Sequence, residues 1–333
     1  MLQPGPLNLI TDVEGIRVGN AEDAWVRTGV SVVLPDQPSL AGIDVRGGAP
    51  GTRETDSLDP TCLVDRVDAV VLSGGSAFGL EAGSGVTNWL AVQGRGFAVG
   101  SAIVPIVPAA ILFDLLNGGA KDWGEHPPYA ALGRAAAIAA ARSFALGNAG
   151  AGYGAKAGQL KGGLGSASAL AVDGLQVGAL AAVNAHGETV MPGSSCFWAW
   201  ALAQAGEVGA QVAPAQPVTL EESEPPSAFS GGHTTIAVVA TNAALDKAEA
   251  RRVAIMAQDG FARAIRPIHT PFDGDTVFVL ATGRWRLPET RAGALLRIGA
   301  AAADCTARAI MRGVYEAQSL GDLVSYRERY GIR

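Results

Sequence analysis

Charge is scarce in this chain, and basic charge is the scarcer kind. Only 17% of its 333 residues are charged, with 25 Lys and Arg against 31 Asp and Glu. A formal net charge of −6, a pI near 5.3 and the lack of any basic stripe argue against a nucleic-acid partner. Cysteine is nearly missing. Cys62, Cys196 and Cys305 are odd in number, far apart and not in metal spacing, so each reads as a small buried hydrophobe. No apolar run is long and unbroken enough to span a membrane, and Met1 to Ile10 lacks the basic and apolar regions of a signal peptide. A cytoplasmic protein with no membrane partner is the expectation.

What is present is apolar material and glycine. Hydrophobic residues make up 48% of the chain, which is ample for a core, and 44 glycines fall in clusters that imply tight turns and close backbone approaches. Short strands are expected at Ile16 to Val18, Gly29 to Leu34, Val67 to Leu72, Phe97 to Val99, Ile103 to Val107, Val177 to Val183 and Thr276 to Ala281. Helical segments are expected from about Leu80 to Val92, over Ala109 to Leu116, over the Ala-rich Tyr129 to Phe144, over Asp246 to Ala264 with Asp246 as N-cap, and from Glu289 to about Val314. Strands and helices alternate throughout. That predicts one layered α/β domain over 1–333, with helices covering two stacked sheets.

One stretch joins mobile-looking chain directly to a core strand. Ala213 to Gly232, rich in Pro, Glu and Ser at its start and middle, reads as a tether. It ends at Gly231-Gly232-His233-Thr234-Thr235, and Ile236-Ala237-Val238-Val239-Ala240-Thr241 follows as a β-branched run. A break between His233 and Thr234 would leave Thr234 as a new N-terminus, its hydroxyl beside its own α-amine. An α-amine titrates near ~7.7–8.0 and so serves as a base for that hydroxyl at working pH. A plain Gly-Gly turn before a strand that opens with Thr is the other reading of these residues.

Four further residues belong to the same question. Lys156 is a lone lysine among five glycines, a setting that perturbs an amine, and equally one that a surface hairpin offers. Asn184 closes a strand, where it either caps a turn or offers its amide N–H to an oxyanion. Asp273 and Asp275 flank Gly274, either as paired carboxylates that hold an amine or as ordinary Asp-Gly turn chemistry. Ser73-Gly74-Gly75-Ser76-Ala77-Phe78-Gly79 follows a strand but lacks dinucleotide spacing, so its glycines are read as packing or substrate-lining. Arg46 and Arg53 could bind a carboxylate or pair with Glu54 or Asp56.

Taken together, these segments resemble a known family. Gly48-Ala49-Pro50-Gly51-Thr52-Arg53-Glu54-Thr55-Asp56, Leu72 to Leu80, Gly162-Gly163-Leu164-Gly165-Ser166-Ala167-Ser168, His233 to Thr241, and Asp273-Gly274-Asp275-Thr276-Val277-Phe278 are similar, in order, to the L-aminopeptidase/D-esterase group, which includes β-peptidyl aminopeptidases and the nylon-oligomer hydrolase. The resemblance implies an αββα four-layer sandwich of N-terminal-nucleophile type. It also implies self-cleavage into a larger subunit 1–233 and a smaller subunit 234–333, a homotetramer of such pairs, and no metal or organic cofactor. Carried over by position, Thr234 is the nucleophile and Lys156 tunes it. Asn184 helps hold the oxyanion, and Asp273 and Asp275 support the new amine. Two positions depart from the pattern: His233 stands where Asn or Gly is usual before the cut, and Phe113 stands where some members carry a tyrosine near the oxyanion.

The implied substrate is a small peptide or amino-acyl amide, with α-, β- and ω-amino acyl groups all open. Two rivals stand beside the hydrolase. One is an acyltransferase of the ornithine-acetyltransferase type, and the other is a binding protein that no longer processes itself.

Overall fold

The computed structural model describes residues 2–204, 206–216, 218 and 232–332, so most of the expected tether lies outside the described residues. In chain order the principal strands are β1 (Ile16–Asp23), β2 (Thr28–Pro35), β3 (Ser39–Val45), β4 (Val70–Ser73), β5 (Ala109–Ile111), β6 (Gly163–Ala171), β7 (Gln176–Val183), β8 (Ile236–Ala243) and β9 (Thr276–Trp285). The principal helices are α1 (Glu81–Val92), α2 (Tyr129–Ile138), α3 (Lys247–Ala264) and α4 (Arg291–Tyr315).

These strands make two sheets. The larger runs Leu2–Gln3, β6, β7, β8, β9, β3, Arg66–Val67, and the smaller runs β1, β2, β4, β5, Thr52–Arg53. Strand pleating then sorts the side chains. On β8, Ala237 and Val239 face one core with residues of α3 and α4, such as Phe261, Ile298 and Cys305. Ile236, Val238 and Ala240 face a second core, shared with Val33, Val70 and Leu72 of the smaller sheet. Val30, Val32 and Val71, on the opposite face of the smaller sheet, meet Val86 and Leu90 of α1 and Ala136 of α2 in a third core. Helix α4 comes close enough that a Cβ on Gly165 of β6 would lie 1.9 Å from the Ala309 carbonyl oxygen.

Several expectations need correction. Ala109 to Leu116 is not helical: Ala109–Ile111 is a buried strand, parallel to β4 and antiparallel to Thr52–Arg53. Its alanines favour a helix locally, but two flanking strands take its backbone hydrogen bonds. The single strand expected over Val67 to Leu72 is two, Arg66–Val67 in the larger sheet and β4 in the smaller. Phe97–Val99 pairs with Ala102–Val104 in an exposed hairpin, and α2 stops at Ile138. Cys62 is exposed, whereas Cys196 and Cys305 are buried as expected. Arg46 pairs with Asp44, and Arg53 donates to Ser84 Oγ, so neither takes the expected partner.

Candidate active site

The site forms where two parallel strands begin. β8 and β9 pair in register from Ile236↔Thr276, and the loop Asp273-Gly274-Asp275 enters β9 beside Thr234-Thr235 as it enters β8. On the other side β7 runs antiparallel, with Ala182 opposite Ile236. Two residues further on, Asn184 therefore stands opposite Thr234. The register alone brings the expected nucleophile, Asn184 and the Asp pair to one sheet end.

Thr234 is buried and tightly held. Its main-chain N–H donates to the Asn184 carbonyl at 2.5 Å. Its hydroxyl donates to the His233 carbonyl oxygen, also at 2.5 Å. The Gly274 N–H faces both oxygens, 3.1 Å from the His233 carbonyl oxygen and 3.1 Å from Thr234 Oγ. A main-chain donor thus already sits where charge would build if the hydroxyl added to that carbonyl. Sequence reasoning missed this donor. The signal for it was the glycine between the aspartates, because a Cβ there would lie 2.6 Å from Thr234 Oγ.

The two carboxylates act on the frame around Thr234. Asp275 Oδ1 accepts the Thr235 N–H at 2.9 Å, and its Oδ2 meets the His269 ring and main-chain nitrogens at 2.9 and 3.1 Å. Asp273 accepts from the Thr270 N–H and hydroxyl, and from the His186 N–H. Burial, and then the neighbouring Asp275 charge, push the Asp273 pKa above the usual carboxylate range. His233 is pulled the other way, by burial first and then by His186, whose ring stands 5.0 Å from its own. His186 and His269 carried no recognisable signal in the sequence.

Asn184 works through all its groups. Its Oδ1 accepts the Lys156 N–H at 2.9 Å, and its side-chain amide donates to the Phe113 and Gly232 carbonyls, each at 3.1 Å. Lys156 reaches the site through that main-chain contact and through its exposed side chain, which lines a cavity of about 340 Å³ together with Phe113, Asn184, Gly232 and His233. The lysine sunk among the glycines is Lys161 instead. It is fully buried, donates to the Gly152 and Gly162 carbonyls, and burial lowers its pKa to about 7. The Gly74-Gly75 turn packs on Asp114 and Tyr129, with the Gly75 N–H donating to Asp114 at 2.8 Å.

Comparison places the fold and the family. The fold is α/β, of the Ntn hydrolase type. The L-aminopeptidase D-Ala-esterase/amidase from Ochrobactrum anthropi, described as a new variant among the Ntn hydrolase fold, superposes with a TM-score of 0.72 at 21% identity, over 99% of this chain and 96% of that one. The profile of peptidase family S58 matches residues 8–324, and the chain belongs to that family; it is a hydrolase acting on peptide or amide bonds. An uncharacterized aminopeptidase of Mycobacterium tuberculosis is 47% identical, covering 97% of this chain and 98% of that protein. The 6-aminohexanoate-oligomer endohydrolase of Kocuria sp. is 30% identical, covering 84% and 76% respectively.

Proposed function

We propose that this protein is a self-processing N-terminal-nucleophile hydrolase. Thr234 is freed by cleavage after His233 and then hydrolyses amide or ester bonds of amino-acyl substrates through an acyl-enzyme. The observation that carries this reading is the Thr234 hydroxyl lying 2.5 Å from the oxygen of the carbonyl it would attack, with the Gly274 N–H beside both. In the first act Thr234 Oγ adds to the His233 carbonyl carbon. The C–N bond breaks as the nitrogen takes up a proton, and an ester joins His233 to Oγ. Water then hydrolyses that ester, giving a His233 carboxylate and restoring the Thr234 hydroxyl beside the amine that the shift has freed. In the second act the amine takes the Oγ proton, Oγ adds to the substrate carbonyl, and the protonated leaving amine departs. Water clears the acyl-enzyme.

Each expected residue has a part in this reading. The Asn184 main-chain carbonyl holds the amine, Asp275 holds the next N–H, and Asp273 fixes the His186 and Thr270 side of the loop. Lys156 supplies positive charge at the cavity wall. The three cores support a four-layer αββα sandwich, with α3 and α4 outside the larger sheet and α1 and α2 outside the smaller. The test is a denaturing gel with intact mass. Fragments 1–233 and 234–333 are expected from the native protein, and one full-length chain from Thr234→Ala. An uncut native chain, or a Thr234→Ala protein that still splits, sinks the proposal.

A further inference from the structure

The aim of the Thr234 hydroxyl depends on the peptide plane that joins Thr234 to Thr235. The N–H of that peptide donates to Asp275 Oδ1 at 2.9 Å. Asp275 is fully buried, and its main chain is pinned: its carbonyl oxygen accepts the Arg46 N–H at 2.9 Å and the Gly47 N–H at 3.4 Å. Its carboxylate is less constrained. Thr235 engages one oxygen alone, which leaves rotation about the Cβ–Cγ bond to be stopped at the other oxygen, Oδ2.

His269 supplies that stop. Oδ2 receives its main-chain N–H at 3.1 Å and its ring Nδ1 at 2.9 Å. A carboxylate accepts and does not donate, so Nδ1 carries the hydrogen. His269 has a left-handed main chain, φ +56°, a conformation that histidine and asparagine adopt more readily than most residues. Its ring packs against Phe261 of α3, with ring centroids 6.0 Å apart. The next residue does the same for the other acid: Thr270 gives its N–H at 2.9 Å and its hydroxyl at 2.5 Å to Asp273 Oδ2. Each acid needs its own holder because the two repel, and the Asp275 charge adds to burial in raising Asp273. His269 does not line the cavity, so it reaches the chemistry through Asp275.

We propose that His269 is a positioning residue: its ring Nδ1–H fixes the rotation of the Asp275 carboxylate, which fixes the Thr234–Thr235 peptide plane and with it the aim of the Thr234 hydroxyl. The role rests on Thr234 being the nucleophile. It calls for an N–H at the δ position of a side chain on a left-handed main chain. Asparagine meets both demands, because its Nδ2 stands as many bonds from Cα as histidine Nδ1 does. Glutamine puts its N–H one bond further out. Glycine keeps the main-chain donor and removes the ring alone.

The test measures kcat and KM for leucyl p-nitroanilide on the native, His269→Gly, His269→Asn and His269→Gln proteins, each with a melting curve. His269→Gly is expected to lose about tenfold in kcat, the scale of one hydrogen bond to a charged group, with KM little changed. His269→Asn restores most of that loss and His269→Gln little of it. Self-cleavage of the newly made chain, followed on a denaturing gel, takes the same order and decides the matter if the anilide is not turned over. A folded His269→Gly protein with native rates overturns the proposal. So does one in which kcat and KM fail together and asparagine restores neither, since that marks a residue that only supports the loop. If His269→Gly does not fold, equal rates in the Asn and Gln proteins overturn it. A native chain that stays uncut and inactive overturns the Thr234 reading, and this proposal with it; a cut, active native chain with indifferent His269 variants overturns this proposal alone.

Discussion

Replacing Gly274 by alanine adds one methyl group at the point where the proposed chemistry has least room. The new Cβ would lie 2.6 Å from Thr234 Oγ, 2.8 Å from the Ala49 carbonyl oxygen and 3.1 Å from Thr234 Cγ2. Contacts below 3.0 Å are not tolerated and ordinary packing begins near 3.4 Å, so something must move by about 0.8 Å or more to restore it. The loop has little freedom to retreat, because the Ala49 N–H is bonded to the Asp273 carbonyl at 2.8 Å and the Gly274 N–H to the His233 carbonyl at 3.1 Å. The Thr234 hydroxyl therefore gives way, and the shared Gly274 donor is displaced from the oxygen it faces. Losing one such donor costs ~10²–10³ in rate, and a misplaced nucleophile costs ~10². These describe one displacement, so self-cleavage should slow by about 10²-fold rather than by their product. The assay is the fraction of uncut chain on a denaturing gel over a time course, with a melting curve to show that the variant is folded. Adding Thr234→Ser removes Cγ2 and lets the hydroxyl pivot, so the double variant should recover part of the rate. A folded Gly274→Ala protein that splits at the native rate refutes the assignment of Gly274 as the oxyanion donor.

Three other outcomes concern buried charge and thiols. Arg308 of α4 grips Glu207 through two hydrogen bonds of 2.8 and 2.9 Å, with both side chains almost fully buried. Glu207→Ala strands the guanidinium and should cost about 3–5 kcal/mol in chemical denaturation, and an unchanged midpoint would contradict this. Lys161 is lowered by burial to about 7 from an ordinary 10.5, so between those values the unfolded chain binds a proton that the folded chain lacks. Stability should therefore rise with pH across that window, by up to about 5 kcal/mol, and Lys161→Met should remove that contribution. A difference between native and Lys161→Met proteins that does not change with pH refutes it. A thiol reagent should label one cysteine per native chain, Cys62, because Cys196 and Cys305 are buried and the Cys305 thiol is pushed up to about 12 by burial. Labelling of either buried cysteine before unfolding would count against the described core.

Where local chemistry decides structure, the sequence could be read directly. Asp246 caps α3 by accepting from the Glu249 N–H, and Glu249 answers onto the Asp246 N–H, a reciprocal pair visible in Asp-Lys-Ala-Glu. The alternation along β8 likewise shows in its residues. The failures came where a partner distant in sequence decides. Ala109–Ile111 is a strand because β4 and Thr52–Arg53 flank it, which nothing in its own composition announces. Lys161 rather than Lys156 is buried although the two stand opposite each other across a short hairpin, because which strand is covered is set by residues far away in sequence, such as Val324, whose carbonyl accepts the Lys161 N–H at 2.8 Å. Thr234, Asn184, Lys156 and the Asp pair were all named from the sequence and lie together at one sheet end. The Gly274 donor, His186 and His269 were not named. A main-chain N–H has no letter of its own, and a histidine's neighbours are set by loops.

The hydrogen bonds around Thr234 would let one arrangement serve both of the reactions proposed for it. Its position depends little on the peptide bond behind it. The Asn184 carbonyl holds its N–H, Asp275 holds the N–H of Thr235, and the Thr276 N–H donates to the Thr235 carbonyl at 3.3 Å. Six pairs of residues join β8 to β7, so a break after His233 leaves the central strand seated between β7 and β9. What such a break would release is the side ahead of it, Gly232 and His233. Residues that aim the hydroxyl or face the oxyanion, such as Gly274, should then affect self-cleavage and substrate hydrolysis in the same order of severity. Variants at Gly274 that slow one reaction and spare the other would show that the two reactions use different donors, and that the precursor site is not the hydrolytic site.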